Sequence, residues 1–99
     1  MNIHLVQINS TWEDRSANHA KARQLIASAS PQPGSLIILP ETFSTGFSMN
    51  LSVTVEPTNG LTEQFLREMA AQYQSCIIGG VVTSSADGRG MNQALAIAP

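Results

Sequence analysis

Apolar residues arrive along this chain in short uninterrupted runs separated by amphipathic stretches, the pattern of alternating strands and helices. Ile3-His4-Leu5-Val6-Gln7-Ile8 is rich in branched aliphatics with little polar alternation, which predicts a first strand covered on both faces. After Asn9-Ser10-Thr11-Trp12, the acidic pair Glu13 and Asp14 leads into good helix formers. Ala22, Leu25, Ile26 and Ala29 follow at i, i+3, i+4 and i+7, which predicts a helix from Arg15 to Ser28 with Asp14 as its N-cap. Ser30-Pro31-Gln32-Pro33-Gly34 stops it, because neither proline can donate a helical hydrogen bond. Leu36-Ile37-Ile38-Leu39, bounded by Gly34 and Pro40, reads as a central parallel strand.

Between Glu41 and Gly60 no period is sustained, and a loop of about 20 residues with one short helical turn is expected; loops of that length are usually functional or disordered. From Leu61 the helical period returns, with Leu66, Met69, Ala70 and Tyr73 on one face. Cys76 to Val82 is a third apolar strand, whose adjacent Gly79 and Gly80 mark a bulge or a place where another backbone passes close. Ser84 to Gly90 is rich in turn residues, and Met91 to Ala98 returns as a fourth strand, closing an antiparallel hairpin. The order makes an α/β unit that opens with a right-handed parallel crossover. The chain stops at Ala98-Pro99 directly after an apolar strand, which would leave strand edges and an apolar face open. Residues 1–99 are therefore read as a truncated chain.

Composition narrows the function. At 99 residues the chain holds one domain at most, and with 42% apolar and 12% charged residues it is core material rather than a disordered tail. A net charge of -2 offers no basic field for nucleic acid. No apolar run approaches the ~20 residues of a membrane span, and the amino terminus lacks a secretory pattern, so a cytoplasmic address is expected. The single cysteine, Cys76, cannot form an internal disulfide, and with His4 and His19 far apart in sequence it makes no metal-ligand spacing.

Candidate chemistry centres on Glu41. In open α/β sheets ligands bind beyond the carboxyl ends of the strands, where Pro40-Glu41 follows strand two. Burial by Leu36 to Leu39 would put the Glu41 carboxylate at the edge of a poorly solvated region and suit it to act as a general base. From its position alone, however, an ordinary solvated loop carboxylate or helix cap is the favoured reading. Phe43 and Phe47 are candidates for an apolar substrate pocket beside Glu41, the alternative being that they pin the long loop to the core. Cys76 starts an aliphatic strand without a partner that would activate it and is read as structural, and His4 and His19 are read as structural or solvated rather than catalytic. The turn after strand one contains no glycine, so dinucleotide and P-loop fingerprints are absent.

The stretch Leu39-Pro40-Glu41-Thr42-Phe43-Ser44-Thr45-Gly46-Phe47-Ser48-Met49 resembles the first catalytic motif of the carbon-nitrogen hydrolase (nitrilase) superfamily, with most likeness to its omega-amidase branch. Gln7, Trp12-Glu13-Asp14, Asn18, the Cys76 to Val82 strand and Asn92 extend the resemblance over essentially the whole chain. It implies a four-layer α-β-β-α sandwich and a Glu-Lys-Cys triad that hydrolyses nonpeptide amide bonds through a thioester. Glu41 would be the base, and no cofactor or metal would be needed. For the omega-amidase branch the implied substrates are the terminal amides of 2-oxoglutaramate and 2-oxosuccinamate. A homo-oligomer is expected of the full-length protein. The family's lysine and cysteine lie beyond the strand carrying Asn92, and this sequence ends before either. Lys21, its single lysine, and Cys76 match neither, so these 99 residues alone are expected to be inactive. Alternatives are a noncatalytic binding or regulatory module of the same fold, and a nitrilase or N-carbamoyl amidase in place of the omega-amidase.

Overall fold

The computed structural model describes residues 1–99 and contains seven elements: β1 (Ile3–Leu5), α1 (Arg15–Ala29), β2 (Leu36–Ile38), α2 (Leu51–Thr54), α3 (Leu61–Tyr73), β3 (Cys76–Ser84) and β4 (Gly90–Ile97). One sheet holds all four strands in the order β1-β2-β3-β4. β1 pairs in parallel with β2 and β2 with β3, while β3 and β4 form the antiparallel hairpin that the turn residues between them predict. The two parallel connections run through α1 and α3.

Local chemistry sets the element ends. The Asp14 carboxylate accepts from the Ala17 amide and caps α1, as its position before the helix predicts. The helix closes at Ser30 in a left-handed conformation, and Pro31 follows. Gly60, at the start of α3, offers no side-chain cap. Glu56 replaces it: one carboxylate oxygen accepts from the Thr62 amide at 2.7 Å, and the other from the Thr62 hydroxyl at 2.5 Å and from Arg15 Nε at 3.0 Å. The end of the long loop is thereby tied to both helices at once.

The core lies between the two helices and one face of the sheet. Ala22 and Ile26 of α1, Phe65, Leu66, Met69 and Ala70 of α3, and Ile37, Ile77 and Ile97 of the sheet form one cluster with Leu39 and Phe43. The buried positions of α1 are Asn18, Ala22 and Ile26, spaced by four. This corrects the wider stripe predicted from the sequence, because Leu25 is 42% exposed and Ala29 is exposed as well. α3 is close to expectation, with Tyr73 half-buried at the edge of the cluster.

The opposite face of the sheet has no cover. Ile3 is 59% and Leu5 77% exposed, which corrects the expectation that the first strand is covered on both faces. β1 is an edge strand three residues long, and only the His4 side of it turns toward the helices. The strand registers put Leu5 beside Ile38, and Ile38 beside Ile78, so an apolar band crosses the sheet on this open side. One helical layer and one sheet layer are thus present, half of a four-layer α-β-β-α arrangement. No helix is long and apolar enough to cross a membrane.

Candidate active site

The ladder between β2 and β3 runs one bond past the strand itself, where the Leu39 amide donates to the Ile78 carbonyl at 2.8 Å. Pro40 then ends the pairing, since it has no N–H to continue it. Glu41 follows at the carboxyl edge of the sheet, and the chain turns sharply through Thr42. This turn passes directly over Gly80: a Cβ built there would lie 2.8 Å from Glu41 Cα and 2.8 Å from the Thr42 nitrogen. Gly80 therefore marks a close backbone approach, one of the two readings the glycine pair allows, whereas Gly79 meets side chains.

Thr42 itself has φ +44°. A β-branched residue in the left-handed region is an outlier and costs about 1–3 kcal/mol. Its hydroxyl is buried without a hydrogen-bond partner, a further cost on the order of 1–3 kcal/mol. The loop is anchored despite both. The Thr42 carbonyl accepts from the amides of Thr45 and Gly46. Ser10 Oγ donates to the Phe43 carbonyl at 2.9 Å, and the Glu13 amide donates to the Thr45 carbonyl at 2.9 Å. Asn18, fully buried, donates from Nδ2 to the carbonyls of Thr11 and Ser44 and accepts the Thr11 amide on Oδ1. The segment after Glu41 is thus held by the first loop and the first helix rather than by its own periodicity.

Glu41, Asn92, Gly80, Ile78 and Ala94 line a hollow of about 280 Å³ on the open side of the sheet. Glu41 is exposed, which corrects the expectation of a poorly solvated carboxylate. The physical reason is the missing cover: β2 and β3 bury their helix-facing residues, but nothing among these 99 residues closes the other side. Asn92 also lines a second groove of about 210 Å³, where Thr42, Phe47, Met49, Leu51 and Val82 meet. The two hollows are neighbours across one side chain.

The two phenylalanines part company. Phe43 is 1% exposed, and its ring sits 6.1 Å from His19 and 6.0 Å from Phe65 in the core. It does not line the hollow beside Glu41 and pins the loop, the alternative reading. Phe47 is 70% exposed on the rim of the second groove.

The remaining chemistry-bearing residues lie elsewhere. Cys76 is half-buried at the far end of β3, four residues from Gly80, roughly 13 Å along the strand. Lys21 donates to the Asn9 carbonyl and the Thr11 hydroxyl, each at 2.8 Å. His19 stacks on Phe65 at 4.7 Å and bonds the Thr62 hydroxyl through Nε2 at 3.0 Å. That hydroxyl already donates to Glu56, so Nε2 carries the proton. Burial holds the His19 pKa below its ordinary value, with Arg15 and Arg23 acting in the same direction and Glu56 against it. A larger hollow of about 430 Å³ between α1 and α3 lies on the helical side, away from Glu41, with Ser16, His19, Arg23 and Glu68 in its lining. No group of His, Cys, Asp and Glu could hold a metal ion. Sequence reasoning passed over Thr42 and Glu56. Neither carries a spacing signal, since Glu56 meets Arg15 across 41 positions.

The structure is similar to XC1258 of Xanthomonas campestris, a carbon-nitrogen hydrolase superfamily protein with an arsenic adduct in its active site. The TM-score is 0.86 and the identity 33%, over 98% of this chain and 36% of that one. An N-terminal amidase structure shares the fold at TM-score 0.84 and 17% identity, with 98% of this chain matched to 25% of that one. By sequence the chain is 30% identical over its whole length to the omega-amidase YafV of Yersinia enterocolitica, spanning 37% of that protein. It is also 30% identical over 87 residues to a nitrilase of Pyrococcus abyssi, with 83% of this chain and 33% of that protein covered. The chain therefore spans about a third of the length of these relatives. The carbon-nitrogen hydrolase family model matches residues 2–99, and the chain belongs to that family.

Proposed function

We propose that these 99 residues are the amino-terminal portion of one carbon-nitrogen hydrolase domain and supply its general base, Glu41. The reaction proposed for the whole protein is hydrolysis of the terminal amide of small 2-oxo acid amides, 2-oxoglutaramate and 2-oxosuccinamate. The observation that carries this reading is the placement of Glu41: at the carboxyl edge of β2, over Gly80, lining a hollow on the sheet face that has no cover. Similarity along the full chain to an omega-amidase supports the choice of substrate.

In this mechanism Glu41 takes the proton of a cysteine thiol carried by the part of the protein beyond Pro99. The sulfur bonds to the amide carbon and the carbonyl oxygen gains charge, which a lysine from the same part stabilises. The carbon–nitrogen bond breaks as Glu41 returns the proton to the leaving nitrogen, and ammonia departs. Glu41 then takes a proton from water as its oxygen attacks the thioester carbon, the carbon–sulfur bond breaks, and Glu41 returns the proton to the departing sulfur, freeing the acid and restoring the thiol. Covering the open face with the remainder of the domain would desolvate Glu41 and enclose the hollow. The whole protein acts in the cytoplasm, as a homo-oligomer, on a small-molecule amide without cofactor.

The test begins with the codons after Pro99, which should encode a lysine and then a cysteine. The longer protein should release ammonia from 2-oxoglutaramate, and Glu41→Gln should lower kcat by about 10²–10⁴-fold with the fold intact. Activity that survives the substitution removes Glu41 from the mechanism. A reading frame that closes after Pro99 would favour a noncatalytic module. Similarity to the Pyrococcus abyssi nitrilase at the same identity favours a second reading, in which the substrate is a nitrile. Turnover of simple nitriles in place of 2-oxo acid amides would select it.

A further inference from the structure

We infer that Thr42 is a positioning residue for Glu41, an inference that rests on Glu41 being the base. Two independent features make Thr42 an unfavourable residue for stability alone. Its φ of +44° lies in a region that β-branched side chains avoid, and its hydroxyl is buried with no partner. Glycine at this position would remove both defects, since it enters the left-handed region freely and has no polar side chain to satisfy. What glycine would lose is restraint. The Glu41–Thr42 peptide rests on Gly80, with a built Cβ 2.8 Å from Glu41 Cα and from the Thr42 nitrogen. The Thr42 carbonyl is fixed by the amides of Thr45 and Gly46. The side chain is buried beside Phe47, Met49, Thr54 and Val82 in the groove that shares Asn92 with the Glu41 hollow. A stiff residue gripped on three sides fixes the direction in which the preceding Cα–Cβ bond leaves the backbone, and so aims the Glu41 carboxylate.

The experiment uses the longer protein, with ammonia release from 2-oxoglutaramate and thermal unfolding measured on Thr42→Gly, Thr42→Asn and Glu41→Gln. Thr42→Gly should melt at the same temperature or higher, yet lose about tenfold or more in kcat with KM within about threefold, because misdirecting a reacting group costs rate rather than binding. Thr42→Asn keeps a side chain that tolerates the left-handed region and should hold kcat within about threefold of the parent protein. Parent-level kcat in Thr42→Gly overturns the inference. So does a lower melting temperature for that variant, which would make Thr42 a stabilising residue, and so does an equal kcat loss in both variants, which would assign the effect to the hydroxyl. Full activity in Glu41→Gln is a separate failure, of the base assignment on which the inference depends.

Discussion

The α-carbon of Glu41 sits above Gly80 so closely that a methyl group on the glycine would come within 2.8 Å of it. The contact is backbone against backbone, so no flexible side chain can yield to relieve it. Gly79, one residue earlier, faces the other side of the sheet, where an added Cβ would meet the ends of Leu66 at 2.9 Å and Phe43 at 3.0 Å. Gly80→Ala should therefore cost about 1–3 kcal/mol, and more than Gly79→Ala, whose neighbours can change rotamer. Urea unfolding of the two variants side by side checks the order; equal or reversed costs would mean that the loop can move off β3.

Asn18 holds the same loop from below. It is fully buried and uses both ends of its carboxamide, at 2.7 and 2.7 Å on Thr11 and 2.8 Å on the Ser44 carbonyl. Asn18→Ala strands the Thr11 amide and two carbonyls, and should destabilise by about 2–3 kcal/mol. A change below about 0.5 kcal/mol in the unfolding free energy would show that water replaces the side chain without loss.

Much of this arrangement was legible in the sequence, for reasons that differ by element. Aliphatic runs bounded by proline and glycine located β2 and β3, and the Asp14 carboxylate marked the start of α1. A short apolar run cannot tell a strand covered on one face from a strand covered on two, which is why the exposure of Ile3 and Leu5 was unforeseen. Glu41 was legible by its place after a central strand. Thr42 was not, because a β-branched residue at positive φ contradicts the propensity from which a prediction would be made. The Arg15–Glu56–Thr62 cluster joins residues up to 41 positions apart, and no local period encodes it.

That cluster should respond strongly to truncation. Glu56 is 4% exposed, while the Arg15 side chain keeps 21% of its surface. Glu56→Ala would leave the guanidinium partly buried without its counter-charge and the first turn of α3 without its cap. A loss of about 3 kcal/mol is expected. Glu56→Gln, which keeps an acceptor for the Thr62 amide, should lose less. Equal losses in chemical denaturation would place the whole effect in the charge.

His19 gives the fold a pH dependence whose sign follows from its burial. Its folded pKa lies below the ordinary value, so the unfolded chain binds the proton more readily. The stability this contributes is complete above about pH 6.5 and is lost as the pH falls through the folded value. Glu56 opposes the shift, and Arg15 and Arg23 reinforce it. Between pH 7.5 and 5.5 the parent protein should lose more unfolding free energy than His19→Gln, which cannot take up that proton. A parent and variant that decline in parallel would exclude His19 as the source.

The open face of the sheet supplies the sharpest test of the proposal that these residues are part of a larger domain. Leu5 is 77% exposed and lies on the side of the sheet that carries Ile38 and Ile78, whereas Leu25 is 42% exposed on the helical side. Exposure within these 99 residues alone would make Leu5→Asp the milder change. If the remainder of the domain packs on this face, the order reverses. An aspartate at that position would be buried without a partner and would cost several kcal/mol, while Leu25→Asp would stay near 1 kcal/mol. Melting temperatures of the two variants in the longer protein decide between these outcomes. A tolerant Leu5 would mean that the apolar band faces water there too, leaving the Glu41 hollow without the cover that the proposed reaction requires.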